Sequence, residues 1–231
     1  MIKRFFAVMA VCLVLSEIGL NSLSAAELCV AELTAAKPDF TLSELCEKLS
    51  KHENTTGSFV QTKTIKTNGR QLKSYGTFII CPLGIMWNTK KPFPSRLVIT
   101  KQKMLQTGGD GKVTVMNGSE NQIFKNISST LSSVFSGSLN ELQKNFSTEL
   151  ITELMTEKNE KWIVKLIPKD STISSVMKRL ELCGTFTNQR EAKMTGLVIF
   201  EASGNTINYE FTEQNYPKEL SADERQNFII E

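Results

Sequence analysis

The sequence predicts a mainly β (α+β) fold: one antiparallel sheet of about eleven strands, curved, with helices against its concave face. Three observations carry this. After Asn54 the apolar residues recur with a period of two, the spacing of a half-buried strand. Turn signals punctuate that pattern at short intervals, at Asn68-Gly69, Pro82-Leu83-Gly84, Gly108-Gly109-Asp110-Gly111 and Asn117-Gly118. Helical patterning is confined to two short stretches, so a large sheet must bend and use them as its cover.

The elements follow in chain order. Lys3 and Arg4, the apolar run Phe5–Leu15 and the small residues up to Ala26 read as a secretory signal peptide, residues 1–26, cleaved after Ala26. The run is too short to span a bilayer. Residues 27–231 read as one domain, since no linker or repeat divides them. Thr41 to His52 reads as a helix: Thr41 caps it, Glu44 completes a capping box, and Leu42, Leu45, Cys46 and Leu49 form its apolar stripe. Strands are expected at Gly57–Lys66, Leu72–Ile80, Gly84–Thr89, Arg96–Lys101, Lys103–Thr107, Lys112–Asn117 and Asn121–Phe124. Ser128–Phe135 and Leu139–Asn145 read as two short helices or one broken at Gly137. Strands resume at Phe146–Met155, Lys161–Ile167, Arg179–Gly184, Ala192–Glu201 and Asn205–Thr212, with a last short one near Phe228; Ser171–Met177 is a loop or helical turn.

Composition excludes several functions. The chain has 231 residues, 40% of them hydrophobic, and a formal charge of +3, too weak for a dedicated nucleic-acid binder. There is 1 histidine, His52, so histidine-based metal sites are not expected, nor is any cofactor. No G-x-S-x-G elbow accompanies His52, which argues against a hydrolase. The Gly108–Gly111 turn lacks the lysine-serine and helix of a phosphate loop. Behind the signal peptide stand Cys29, Cys46, Cys81 and Cys183. An even number in an exported chain suggests disulfides; local spacing favours Cys29–Cys46 and leaves Cys81–Cys183 as a long-range clip, the alternative being buried free thiols. No C-x-x-C suggests redox chemistry.

Several strands are apolar along much of their length, notably Phe78-Ile79-Ile80, Ile85-Met86-Trp87, Leu97-Val98-Ile99 and Leu197–Phe200. Such a surface is either packed core or a cavity for an apolar ligand. Motifs in fixed order bear on the choice. Gly57-Ser58-Phe59-Val60-Gln61-Thr62 opens the first strand and Gly76-Thr77-Phe78 follows a hairpin. Then come Cys81-Pro82-Leu83-Gly84-Ile85-Met86-Trp87 and Lys90-Lys91-Pro92-Phe93-Pro94. Asp110-Gly111-Lys112, Ser133–Leu139, Leu166–Asp170 and Gly204-Asn205-Thr206 with Tyr209 and Phe211 come later. Together they resemble the outer-membrane lipoprotein carrier family, LolA, over residues 41–228.

The resemblance implies an incomplete antiparallel β-barrel with helices lidding its concave side, and a periplasmic carrier that is not an enzyme. Its cargo would be an acylated lipoprotein or other lipid. It would be received from an inner-membrane exporter and passed to an outer-membrane acceptor, with the carrier a monomer. Ile85 and Trp87 take the family's cavity positions, with Ile79 on the same face, and Leu131 and Phe135 belong to the lid. Leu97, Ile99, Val115, Leu142, Phe200, Tyr209 and Phe211 complete the expected lipid-binding set. One position departs from the pattern: the arginine that latches the family's lid is Cys81 here, which lacks a guanidinium's fork of donors. Cargo other than lipoproteins is therefore open. A rival of another class is a sensor or scaffold that reads envelope lipid without moving it.

Overall fold

In the computed structural model, residues 40–117, 133, 139–156, 159–186 and 191–229 are described. The expected signal peptide, Cys29, the strand at Asn121–Phe124 and the lid residues Leu131 and Phe135 lie outside them. Of the expected helix Ser128–Phe135, only Ser133 is described; it is helical and buried.

The first element is helix α1 (Leu42–Leu49). Its N-terminus is closed by a capping box: the Thr41 N–H donates to Glu44 Oε2 at 2.7 Å, and the Glu44 N–H donates to Thr41 Oγ1 at 3.2 Å. Six strands follow: β1 (Thr55–Thr64), β2 (Gln71–Cys81), β3 (Gly84–Lys91), β4 (Ser95–Thr100), β5 (Lys103–Thr107) and β6 (Val113–Asn117). Helix α2 (Leu139–Asn145) leads into β7 (Phe146–Thr156) and β8 (Asn159–Pro168). Helix α3 (Ser171–Ser174) precedes β9 (Met177–Phe186), β10 (Ala192–Glu201) and β11 (Thr206–Asn215).

All eleven strands form one antiparallel sheet, ordered β6-β5-β4-β3-β2-β1-β11-β10-β9-β8-β7. The chain lays down β1 to β6 outward from the centre. It then crosses to the far edge and returns through β7 to β11, which pairs with β1. Among the described residues β6 and β7 are the edges and do not pair, so the sheet is open.

The two faces differ in cover. The inner face carries α1 and α2 and holds the main core, with Phe59, Phe78, Trp162, Leu166, Ile199 and Tyr209 from the sheet and Leu45 and Leu142 from the helices. Glycines make room for its large rings. A Cβ at Gly76 would overlap the Phe59 ring, and one at Gly184 would overlap the Trp162 indole. On the outer face Ile79, Cys81, Met86 and Val98 pack against Leu220 and Phe228 of the C-terminal segment. Further along that face lie Ile151, Ile163 and Cys183.

The C-terminal segment is not the short strand that the sequence predicts near Phe228. It contains helix α4 (Ala222–Gln226), started by a capping box of Ser221 and Glu224. Asn54 Nδ2 donates to the carbonyls of Pro217 and Lys218, and Arg96 Nη1 donates to Asn227 Oδ1. The segment is thus a strap across β2–β5, and its apolar residues are satisfied by packing, not by an extra ladder.

Candidate functional site

Cross-strand pairing assembles the inner face. Directly opposite residues of an antiparallel pair share a face. Phe59 stands opposite Phe211, Gln61 opposite Tyr209, Phe78 opposite Trp87, and Ile80 opposite Ile85. Beyond β3, Trp87 stands opposite Leu97 and Ile85 opposite Ile99. The rings form a connected floor: Phe78 to Phe211 is 4.9 Å between centroids, Phe59 to Tyr209 5.6 Å, Trp87 to Tyr209 6.2 Å and Phe78 to Trp87 6.5 Å. Over this floor α1 lays Leu45 and Cys46, and α2 lays Leu142.

Where α1 ends, the cover is incomplete. A small cleft, open to solvent, is lined by Leu49, His52, Phe78, Ile80, Met194 and Phe211 among others. At its rim His52 stacks on Tyr216 with centroids 3.9 Å apart. The lone histidine is therefore an aromatic wall of an apolar cleft.

Of the residues expected to bind lipid, Ile85, Trp87, Leu142, Tyr209 and Phe211 lie in or against the inner core, and Leu97 and Ile99 join them by register. Three do not. Ile79 alternates with Phe78 and Ile80 and faces outward, packing with Met86. Val115 pairs with Leu105 of the outer cluster and is 44% exposed. Phe200 follows Ile199 and turns outward, where the Arg179 guanidinium lies 4.0 Å from its ring centroid. The cause is common to all three. A step of one residue reverses the face, and runs that are apolar on both faces conceal the parity.

The cysteines also differ from expectation. Cys46, Cys81 and Cys183 are buried, and among the described residues no disulfide joins them. Cys46 lies in the inner core and the other two lie on the outer face. Cys81 on β2 and Cys183 on β9 are four strand positions apart, about 19 Å at the usual interstrand spacing. A disulfide needs Cα atoms within about 7 Å, so the Cys81–Cys183 clip is excluded. Cys81 Sγ donates weakly to the Gly84 carbonyl at 3.6 Å. Burial pushes its thiol up, against backbone hydrogen bonds at Leu83 and Gly84 that pull it down. At the latch position it faces the C-terminal strap, not the helices.

The sequence reading missed the polar part of this face. Four buried donors on it have no hydrogen-bond partner: Gln61 Nε2, Ser74 Oγ, Trp87 Nε1 and Trp162 Nε1. The period-two pattern places Gln61 between Phe59 and Lys63 on the inner face, and that was the available signal. Lys63 is also buried, its ammonium 3.0 Å from Glu201 Oε1. Ser203 Oγ and Asn205 Nδ2 donate to the other oxygen of Glu201 at 2.9 and 2.8 Å. Among the described residues no cluster of three or more histidine, cysteine or carboxylate side chains is placed to hold a metal.

The fold is similar to that of a LolA superfamily protein from Nitrosomonas europaea, at 7% identity and a TM-score of 0.42, covering 80% of this chain and 96% of that one. It is also similar to the Mycobacterium tuberculosis lipoprotein LppX, at 10% identity and a TM-score of 0.43, covering 80% of this chain and all (100%) of that one. A DUF1329 family protein from Desulfovibrio piger gives 10% identity and a TM-score of 0.44, over 78% of this chain and 92% of its own. No curated protein matches the sequence. The model of the family described as outer membrane lipoprotein carrier protein LolA matches residues 50–225, from the end of α1 to α4, and the chain belongs to that family.

Proposed function

We propose that this protein shields the acyl chains of a lipoprotein or another lipid on its inner face and passes them toward the outer membrane. In this reading residues 1–26 are a cleaved export signal. The mature chain works in the periplasm as a monomer, between an inner-membrane exporter and an outer-membrane acceptor, and catalyses no reaction. No helix among the described residues is long and apolar enough to cross a membrane.

The observation that carries the reading is the inner face. An aromatic and aliphatic floor runs across the sheet from β3 to β7, and its cover includes two helices of 8 and 7 residues. Each buried methylene is worth about 0.8 kcal/mol, so an acyl chain of about a dozen carbons gains roughly 10 kcal/mol on that floor. The helices it would displace offer a handful of side chains, of which Leu45, Cys46 and Leu142 are the most buried. Exchange between helix and acyl chain on one surface is therefore close to balanced, which suits a carrier that must also release.

Protein purified from envelope extracts should retain acyl species detectable by mass spectrometry; material with none would sink the reading. Trp87 is half-buried at the floor, so Trp87→Glu should keep the protein folded while lowering lipid retention at least tenfold. Unchanged retention would remove Trp87 from the binding face.

A further inference from the structure

Two of the unpartnered donors stand directly opposite one another: Gln61 Nε2 on β1 and Ser74 Oγ on β2. Gln61 is 3% exposed and Ser74 is 0% exposed. Opposed residues of an antiparallel pair hold their Cβ atoms about 5 Å apart, so both donors can reach one acceptor atom. Gln61 also pairs with Tyr209 of the inner core, which fixes the pair on the inner face. Buried donors are nearly always satisfied, so two adjacent orphans on one face call for a shared acceptor.

Their surroundings are graded. Along β1 in one direction lies Phe59, then Phe78 and the cleft beside α1. In the other direction lies Lys63, closed by Glu201. Aromatic floor, amide and hydroxyl, then ion pair: this is the order of polarity along an acylated amphiphile, from tail to linkage to head. The tail side spans about 20 Å, the rise of the six residues from Gln61 back to Thr55 at the cleft.

We propose that Gln61 and Ser74 form a subsite for the carbonyl oxygen of an acyl linkage. The hydrocarbon then runs along β1 over Phe59 toward the cleft, and the polar head points to the β1–β2 hairpin. A carbonyl oxygen has two lone pairs and accepts from both donors at once. The subsite rests on the carrier reading and adds to it a chemical class and a direction: cargo is recognised by its acyl carbonyl as well as by its chain.

The test compares two lipids with one chain and one head, 1-palmitoyl lysophosphatidylglycerol and its 1-O-hexadecyl ether analogue, which lacks the carbonyl. Binding to the full mature chain is titrated by intrinsic tryptophan fluorescence. The wild type should bind the ester about tenfold tighter, the effect of two neutral hydrogen bonds. Gln61→Met with Ser74→Ala should bind both lipids with one affinity, and Ser74→Ala alone should keep about a threefold preference. The unliganded double variant should melt no lower than the wild type, because the orphaned donors are gone. Equal affinities in the wild type, or a tenfold preference kept in the double variant, would overturn the subsite and leave the carrier reading standing. Binding of neither lipid would overturn both.

Discussion

Lys63 and Glu201 hold charge where both side chains are about nine-tenths buried, with 10% and 11% of their surface exposed. Burial pushes the Glu201 carboxyl up, but donation from Lys63, Asn205 and Ser203 and the Lys63 charge outweigh it, and the net shift is downward. Stability from this group is therefore present above the unfolded glutamate value of about 4.3 and is lost as pH falls through the lower folded value. Glu181 on β9 has the opposite sign. Its burial outweighs the opposing charges of Arg179 and Lys165 and holds its carboxyl above the ordinary range. Arg179 Nε stands 2.8 Å from Glu181 Oε1, a contact of charges without an aligned hydrogen bond. Protonation of Glu181 thus relieves a cost as pH falls. Urea unfolding of Glu201→Gln should show a loss of about 3 kcal/mol at pH 7, from a stranded buried Lys63, and a smaller loss near pH 3. Glu181→Gln should be neutral or stabilising at pH 7.

At the level of elements, the strap formed by the C-terminal segment covers an apolar surface that the sheet alone would expose. Removing residues 217–231 should uncover Ile79, Met86 and Cys81. The Cys81 thiol should then react with an aromatic disulfide reagent at least tenfold faster than in the full chain, and the truncated protein should aggregate on warming. An unchanged rate would mean that the strap does not shield β2. The strap also marks where sequence reading stops. The capping box at Thr41 and Glu44 is legible, and α1 begins where it says. The same pattern at Ser221 and Glu224 is equally legible, but Phe228 and its apolar neighbours draw the eye to a strand. Strand positions could be read because turns and alternation are local. Faces could not, because Phe78-Ile79-Ile80 is apolar on both sides and its parity is fixed only when Leu220 and Phe228 arrive from 140 residues away. The candidate site was legible in its aromatic members, Trp87, Tyr209 and Phe211, which occur with one parity. Gln61 and Ser74 meet only through β1–β2 pairing, which a strand-by-strand reading does not examine.

At the level of the molecule, two meanders meet at a single ladder, β1 with β11, and its register joins Thr64 to Thr206. Such distant pairing makes for slow folding, in the range of milliseconds to seconds or longer. The inner core crosses the ladder: Trp87 of the first meander and Trp162 of the second both belong to it. The two halves should therefore unfold together. Single-tryptophan variants, Trp162→Phe reporting on Trp87 and Trp87→Phe reporting on Trp162, should differ between themselves only by the cost of each substitution, and each should agree with circular dichroism on the same sample. A tryptophan midpoint separated from the circular-dichroism midpoint would mean that the meanders unfold as independent bodies.

Because β6 and β7 do not pair among the described residues, this sheet resembles a leaf spring more than a cask. A closed barrel has a bore set by its strand number and stagger. An unclosed sheet can tighten or relax its curl by small changes of twist at every ladder, and no hydrogen bond need break. On the carrier reading proposed above, its capacity would be a compliant quantity, adjustable to one chain or to several, with the work of loading spread over the strands of the sheet instead of falling on one hinge.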